Sequence, residues 1–348
     1  MKYGKASVLL AAWAAAVLLA GCGASGGENL QQGMGQIEQM DYEGALTSFE
    51  AAMVNKENLR QVYRGQGLAY MGLTDYENAA ASLEKALALG GPVPDQLDFD
   101  INYYLATAYY KGGQVQKAIG VYSAITDLRP QEKDAWYLKG TMELELGQQE
   151  QAKADFDRAV QTDGDDYDMR IDIFCSCSKY GYGELGSPYL EEVVSDDSLR
   201  LSDYDRGRIQ FYLGNYEEAK TCLESAQGSG GADVASLLGQ TYEKLGDYNY
   251  AASVYSSYLE TSQADAQIYN QLGLCRLQTG DYEAALNAFE AGIAVEGNPV
   301  MQSLRFNQIV AYEYLGQFDQ AKLAMEQYLA LYPDDEKAQR EYTFLKTR

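Results

Sequence analysis

The chain has 348 residues, with 51 acidic against 27 basic side chains and a formal net charge of −24. It contains no histidine, which excludes Ser-His-Asp and Cys-His nucleophilic machinery and every histidine-liganded zinc or iron site. So acidic a chain is a poor ligand for nucleic-acid phosphates, whose binding depends on Lys and Arg releasing counterions. A hydrophobic fraction of 46% is too high for a disordered acidic tail, so the chain folds.

The first element is an apolar run, Val8 to Ala20, behind Lys2 and Lys5. A membrane-spanning helix needs about 20 apolar residues, so a run of 13 reads as a signal-peptide core. It ends in Leu19-Ala20-Gly21-Cys22, which resembles the bacterial lipobox. That resemblance implies cleavage between Gly21 and Cys22, with residues 1–21 removed as a lipoprotein signal peptide. It also implies a diacylglycerol lipid on the Cys22 thiol. The mature protein is then held in the bacterial envelope by lipid, facing outside the cytoplasm. Residues 22–28 hold the lipidated cysteine and a glycine-rich flexible tether. Loss of Lys2 and Lys5 makes the mature chain more acidic still, so an anionic membrane surface repels what lies behind the anchor.

Beyond the tether the chain repeats. Asp41-Tyr42-Glu43-Gly44-Ala45, Asp75-Tyr76-Glu77-Asn78-Ala79, Asn215-Tyr216-Glu217-Glu218-Ala219 and Asp281-Tyr282-Glu283-Ala284-Ala285 share one pattern. A large apolar residue follows each alanine by four positions: Phe49, Leu83, Leu223 and Phe289. Weaker copies align on Ala118, Ala152, Ala251 and Ala321, with a degenerate one on Gly186, at gaps from 32 to 39 residues. A period near 34 with two amphipathic helices per unit signals a solenoid. In one unit, Tyr269, Leu272, Gly273 and Arg276 follow helical spacing, and Gly280 ends that helix in the left-handed conformation glycine tolerates best. Asp281 caps the next helix, and Gly273 and Ala285 stay small where the helices approach while Tyr282 and Phe289 fill the space.

These residues resemble the tetratricopeptide repeat family. Trp136, Gly140, Gly147, Ala152, Phe156 and Ala159 stand in its order and spacing, as do Leu238, Gly239, Tyr242, Gly246, Tyr248, Ala251 and Tyr255. Pro130 and Pro333 match its repeat-closing proline. The resemblance implies an all-α solenoid, a right-handed superhelix of about nine helical hairpins over 29–333 plus a C-terminal capping helix over 334–348. It also implies that first helices line a concave groove for a protein or peptide.

Departures mark irregular places. Gly90 to Asp100, with Pro92 and Pro94, predicts a longer turn between the second and third repeats. The fifth repeat, about 167–199, is degenerate: glycines around Tyr180 to Gly183 and Pro188 predict a shortened or bent second helix. It is either a decayed but ordered repeat or a joint between two arrays. Asp334 is expected to cap a last helix with the stripe Ala338, Tyr342 and Leu345.

No constellation points to catalysis, a metal or a soluble cofactor. Cys175 and Cys177 point apart on a helix, and these two with Cys222 and Cys275 read as packed thiols, a disulfide in an oxidising compartment remaining open. Asp163, Asp165, Asp166 and Asp168 lack the ligand order of a calcium loop and read as a helix cap. Function then falls to the groove. The family's fifth, ninth and twelfth first-helix positions give Tyr103, Thr107, Tyr110, Tyr137, Thr141, Leu144, Ile171, Tyr204, Arg208, Phe211, Phe306 and Val310. Tyrosine offers a broad apolar face and a hydroxyl at low entropic cost, which suits an extended peptide or a partner helix. Arg64 and Asn270 hold positions of the family's carboxylate clamp without the rest of it, so acidic C-terminal peptides are poor ligands. The expectation is a non-enzymatic, membrane-tethered adaptor or scaffold. The alternative is an envelope-processing accessory that docks a cell-wall enzyme or pilots a secretion or pilus component.

Overall fold

The computed structural model describes residues 27–348 apart from 197 and 230. The signal peptide, Cys22 and most of the tether lie outside the described residues. The chain divides into two compact units, one through Leu190 and one from Glu191 to Arg348.

The first unit contains α1 (Glu28–Glu38), α2 (Tyr42–Val54), α3 (Leu59–Gly72), α4 (Tyr76–Ala88), α5 (Gln96–Lys111), α6 (Val115–Leu128), α7 (Lys133–Glu145), α8 (Gln149–Thr162) and α9 (Tyr167–Lys179). Helix α10 (Gly183–Ser195) completes the fifth hairpin, and the division between units falls inside it. The second unit continues with α11 (Asp203–Leu213), α12 (Tyr216–Ala226), α13 (Ala232–Lys244), α14 (Tyr248–Thr261), α15 (Ala266–Gln278), α16 (Tyr282–Ile293), α17 (Met301–Tyr314), α18 (Phe318–Leu331) and α19 (Glu336–Leu345). Paired in order, these make nine hairpins and one closing helix among the described residues. The all-α solenoid expected from the period is the observed fold.

The repeated alanine explains why the hairpins close. Ala45, Ala79, Ala118, Ala152, Ala219, Ala251, Ala285 and Ala321 are fully buried, and so is the large residue one turn on, from Phe49 to Met325. A methyl at the crossing lets the paired helices approach, and the larger side chain fills the gap beside it. At Gly273 even a methyl does not fit: a Cβ there lies 2.3 Å from a ring carbon of Phe289. The turns obey the same local rules. Asp41, Asp75, Asp247 and Asp281 accept from the backbone N–H of Gly44, Asn78, Tyr250 and Ala284 at 3.0–3.3 Å. Gly280 adopts φ +79° as expected, whereas Met40 and Thr74 take the left-handed region without being glycine.

Three local expectations are corrected. Of the shortening or bending expected for α10, the shortening does not occur: the helix spans 13 residues with Pro188 inside it, and Leu190 fills the core position. Gly186 replaces the usual alanine there because a Cβ meets the Phe174 backbone at 3.0 Å and the Cys177 Cβ at 2.9 Å. The inserted turn ends earlier than Asp100, because Asp95 and Asp98 form a reciprocal capping box and start α5 at Gln96. The cap of α19 is Asp335, not Asp334; its carboxylate accepts from Lys337 and Ala338 N–H. Ala338 and Leu345 are buried as the stripe requires.

Candidate partner-binding faces

In the first unit, Tyr103, Thr107 and Tyr110 share one face of α5, and Tyr137 and Thr141 share the matching face of α7, through i, i+4, i+7 spacing. Thr107 and Thr141 donate their hydroxyls to the carbonyls of Tyr103 and Tyr137 at 2.9 and 3.0 Å, so their hydroxyl protons are used within the helix. Tyr103 is half-buried and edge-on to Tyr122, with ring centroids 5.9 Å apart. Burial first, then the carboxylates of Glu132 and Asp134, raise its phenol well above the usual range.

Tyr137 is held more firmly. Its hydroxyl lies 3.0 Å from Ser176 Oγ on α9, its ring packs 6.2 Å from Phe156, and burial pushes the phenol up to about 12. Tyr110 and Tyr180 both donate to the Glu145 carboxylate, at 2.7 and 2.9 Å. This clasp joins α5, the end of α7 and the turn after α9, so three consecutive hairpins are tied on one side. Sequence reasoning placed Tyr180 only in a helix-breaking stretch and did not single out Glu145 or Ser176. Ile171 and Leu144 are corrected: at 5% and 1% exposed they belong to the core and offer a partner no surface.

In the second unit the face is built differently. Arg208 stacks over Tyr204 at 5.2 Å and approaches Asp205 at 4.0 Å, and Phe211 sits edge-on between Tyr212 and Tyr216 at 5.7 and 5.6 Å. Phe306 on α17 packs 5.8 Å from Tyr328 and lies under the Lys337 ammonium of the closing helix at 4.6 Å. Tyr204, Arg208, Phe211, Phe306 and Val310 are all half-buried. Asn270 accepts from Asn307 at 2.8 Å and Arg64 pairs with Asp100, so both isolated clamp residues are engaged inside the protein.

Asp163 and Asp166 converge on the Lys133 ammonium at 2.6 Å each, and Asp166 also caps α9 through Met169 N–H. Cys175, Cys177, Cys222 and Cys275 are free thiols. Burial pushes Cys175 up to about 11 and Cys177 up to about 12, which keeps both protonated and poorly nucleophilic.

Comparison with known proteins agrees with this architecture. The family model described as tetratricopeptide repeat matches residues 64–133, 103–167, 204–267 and 236–299, and a second of the same description matches 303–335. The unmatched stretch between 167 and 204 holds the α9–α10 hairpin with its glycine and proline substitutions. The TPR repeat-containing protein YpiA of Bacillus subtilis is 24% identical over 247 residues, covering 70% of this chain and 58% of YpiA. A TPR repeat-containing protein of Methanocaldococcus jannaschii is 25% identical over 248 residues, covering 67% of this chain and 42% of its own length. The chain thus spans about half the length of these relatives. Among solved structures, a tetratricopeptide repeat protein from Parabacteroides merdae is 16% identical with a TM-score of 0.48, over 82% of this chain and 97% of its own. YrrB, described as a TPR protein with an unusual peptide-binding site, is 18% identical with a TM-score of 0.36, over 64% and 97%.

Proposed function

The chain belongs to the tetratricopeptide repeat family, a family of protein-interaction modules, and from that premise we propose that it is a membrane-anchored lipoprotein adaptor of the bacterial envelope. In this reading Cys22 carries the lipid, the hairpins face outside the cytoplasm, and the first-helix faces hold a peptide or helix of a protein partner. The observation that carries it is the pairing of a lipobox-like Leu19-Ala20-Gly21-Cys22 with hairpins whose first helices present aromatic side chains in register. A binding role is favoured because the acidic run at Asp163 to Asp166 is engaged in a cap and an ion pair and Glu145 in the tyrosine clasp. Tyr103, Thr107, Tyr110 and Thr141 are the contacts favoured in the first unit, and Tyr204, Arg208, Phe211 and Phe306 in the second. Tyr137 contributes mostly by holding α7 against α9.

Two measurements test the two halves of the reading. A palmitate analogue should label the wild type and not Cys22→Ser; equal labelling overturns the anchor. A photoreactive residue at Thr107 or Thr141 should cross-link a discrete protein in intact cells, whereas one at exposed Gln116 on α6 should not. Equal cross-linking at all three sites overturns the first-helix face.

A further inference from the structure

The second unit ends in a helix packed over a pair of carboxyl groups. Ala338 and Leu345 bury the inner stripe of α19, and Glu341 stands between them on the same face. On α17, Glu313 stands one turn after fully buried Ile309. Its Oε1 is buried without a hydrogen-bond partner, and the group beside it is the Glu341 carboxyl. Two ionised carboxylates offer each other only acceptors, so this contact is satisfied only when one of them carries a proton. The cations of α19 are engaged elsewhere: Lys337 over Phe306 at 4.6 Å, Lys346 over Tyr342 at 4.1 Å, Arg348 over Phe344 at 4.7 Å, and Arg340 with Glu336 at 3.5 Å. On α18, Glu326 accepts from Tyr342, and on α16, Glu290 accepts from Gln308 and Tyr312. Among the described residues no cation pairs with Glu313 or Glu341; this includes Arg305, two turns back on α17, and Lys322 on α18 beside Asp319. Burial, and then Glu341, push the Glu313 carboxyl up to about 7.

The same helix covers part of the candidate partner face. Its Lys337 ammonium lies on the ring of Phe306, and its capping Asp335 accepts from Tyr328, whose ring packs edge-on to Phe306. We propose that α19 is an autoinhibitory lid over Phe306, held shut by a proton shared between Glu313 and Glu341 and released when that proton is lost. That Phe306 is the surface being guarded rests on the partner-face reading above; the proton-held closure does not. In the closed form one proton bridges the two carboxyls. On opening it passes to solvent, and both carboxylates are hydrated. The closed form holds the proton more tightly than the open one, so closure is strongest at acid pH and weakens as pH rises through about 7.

Hydrogen exchange of the mature chain, read by mass spectrometry and corrected for the intrinsic pH dependence of exchange, tests the closure. Protection in α19 should fall at least about tenfold from pH 5 to pH 8, while α16 keeps its protection. Glu313→Gln keeps a donor beside Glu341 at every pH, so its α19 should be equally protected at both pH values. Glu341→Gln should behave in the same way. Acrylamide quenching of Phe306→Trp, with the unsubstituted chain giving the background from Trp136, reads the covered face. It should be stronger at pH 8 than at pH 5, and adding Glu313→Gln should remove the difference. Protection of α19 that does not change with pH, that falls equally in both glutamine variants, or that falls together with α16 overturns the proposal. Quenching at position 306 that stays constant while α19 is released shows that the helix covers no binding surface, and also overturns the lid. If instead the lid opens as expected but a photoreactive residue at position 306 captures no protein at pH 8, the partner face fails there and the proton-held closure stands.

Discussion

Glu143 and Asp155 face each other inside the fourth hairpin, 4% and 6% exposed, and one lysine serves both. The Lys139 ammonium is 3.0 Å from Asp155 and 4.0 Å from Glu143, and Glu143 Oε2 has no hydrogen-bond partner. Burial, and then the neighbouring Asp155 carboxylate, hold the Glu143 carboxyl well above the usual range; Lys139 offsets this only in part. The sign of the linkage follows. A carboxyl whose folded value exceeds its unfolded one contributes stability at low pH that is lost as pH rises through the folded value. Native stability should therefore fall between about pH 5 and pH 8. Glu143→Gln cannot ionise, so it should be more stable than wild type at pH 8, by about 1–2 kcal/mol, and nearly equal at pH 5. Urea unfolding at the two pH values measures it. An unchanged gap between the proteins would remove Glu143 as the cause.

Between elements, one hydrogen bond recurs that the sequence pattern did not single out. A glutamate five residues after the buried alanine of one hairpin accepts from a tyrosine on the next element. The pairs are Glu84 with Tyr109, Glu224 with Tyr242, Glu290 with Tyr312 at 3.0 Å, and Glu326 with Tyr342 at 2.8 Å. Tyr312→Phe keeps the ring and loses the hydroxyl, so it should cost about 1 kcal/mol and lower the melting temperature without changing the helical circular dichroism. A larger loss of helix would mean that the ring, and not the bond, carries the contact. The hairpins, their alanine-centred cores and the caps at Asp41, Asp75, Asp247 and Asp281 were legible because each depends on residues close in sequence, while the cap of α19 was misplaced by one residue. The latch was not, because 30 tyrosines supply ring and hydroxyl roles with the same letter. For the same reason Tyr137 read as a groove residue, although Ser176, far along the chain, fixes its hydroxyl. Glycine spacing likewise missed the left-handed turns at Met40 and Thr74, where another side chain accepts the strained conformation.

At the scale of the molecule, stability should behave as a chain of nearest-neighbour contacts divided into two units. Each hairpin buries its apolar stripe against the hairpins beside it, so damage spreads by adjacency. Ala152 gives the sharpest probe. It is fully buried on α8, its carbonyl lies 3.1 Å from where a Cβ on Gly140 would stand, and Phe156 fills the adjoining space. Ala152→Arg forces a long charged side chain into that crossing, at a cost of about 3 kcal/mol or more from overpacking and charge burial. Hydrogen exchange should then accelerate most in α7 and α8, next in α6 and α9, and least in α15 to α18 of the second unit. Thermal melting should separate into an early step from the first unit and a later one close to the wild-type midpoint. A single transition with protection lost evenly from α2 to α18 would show that the two units unfold as one body, and the nearest-neighbour account would fail at this scale.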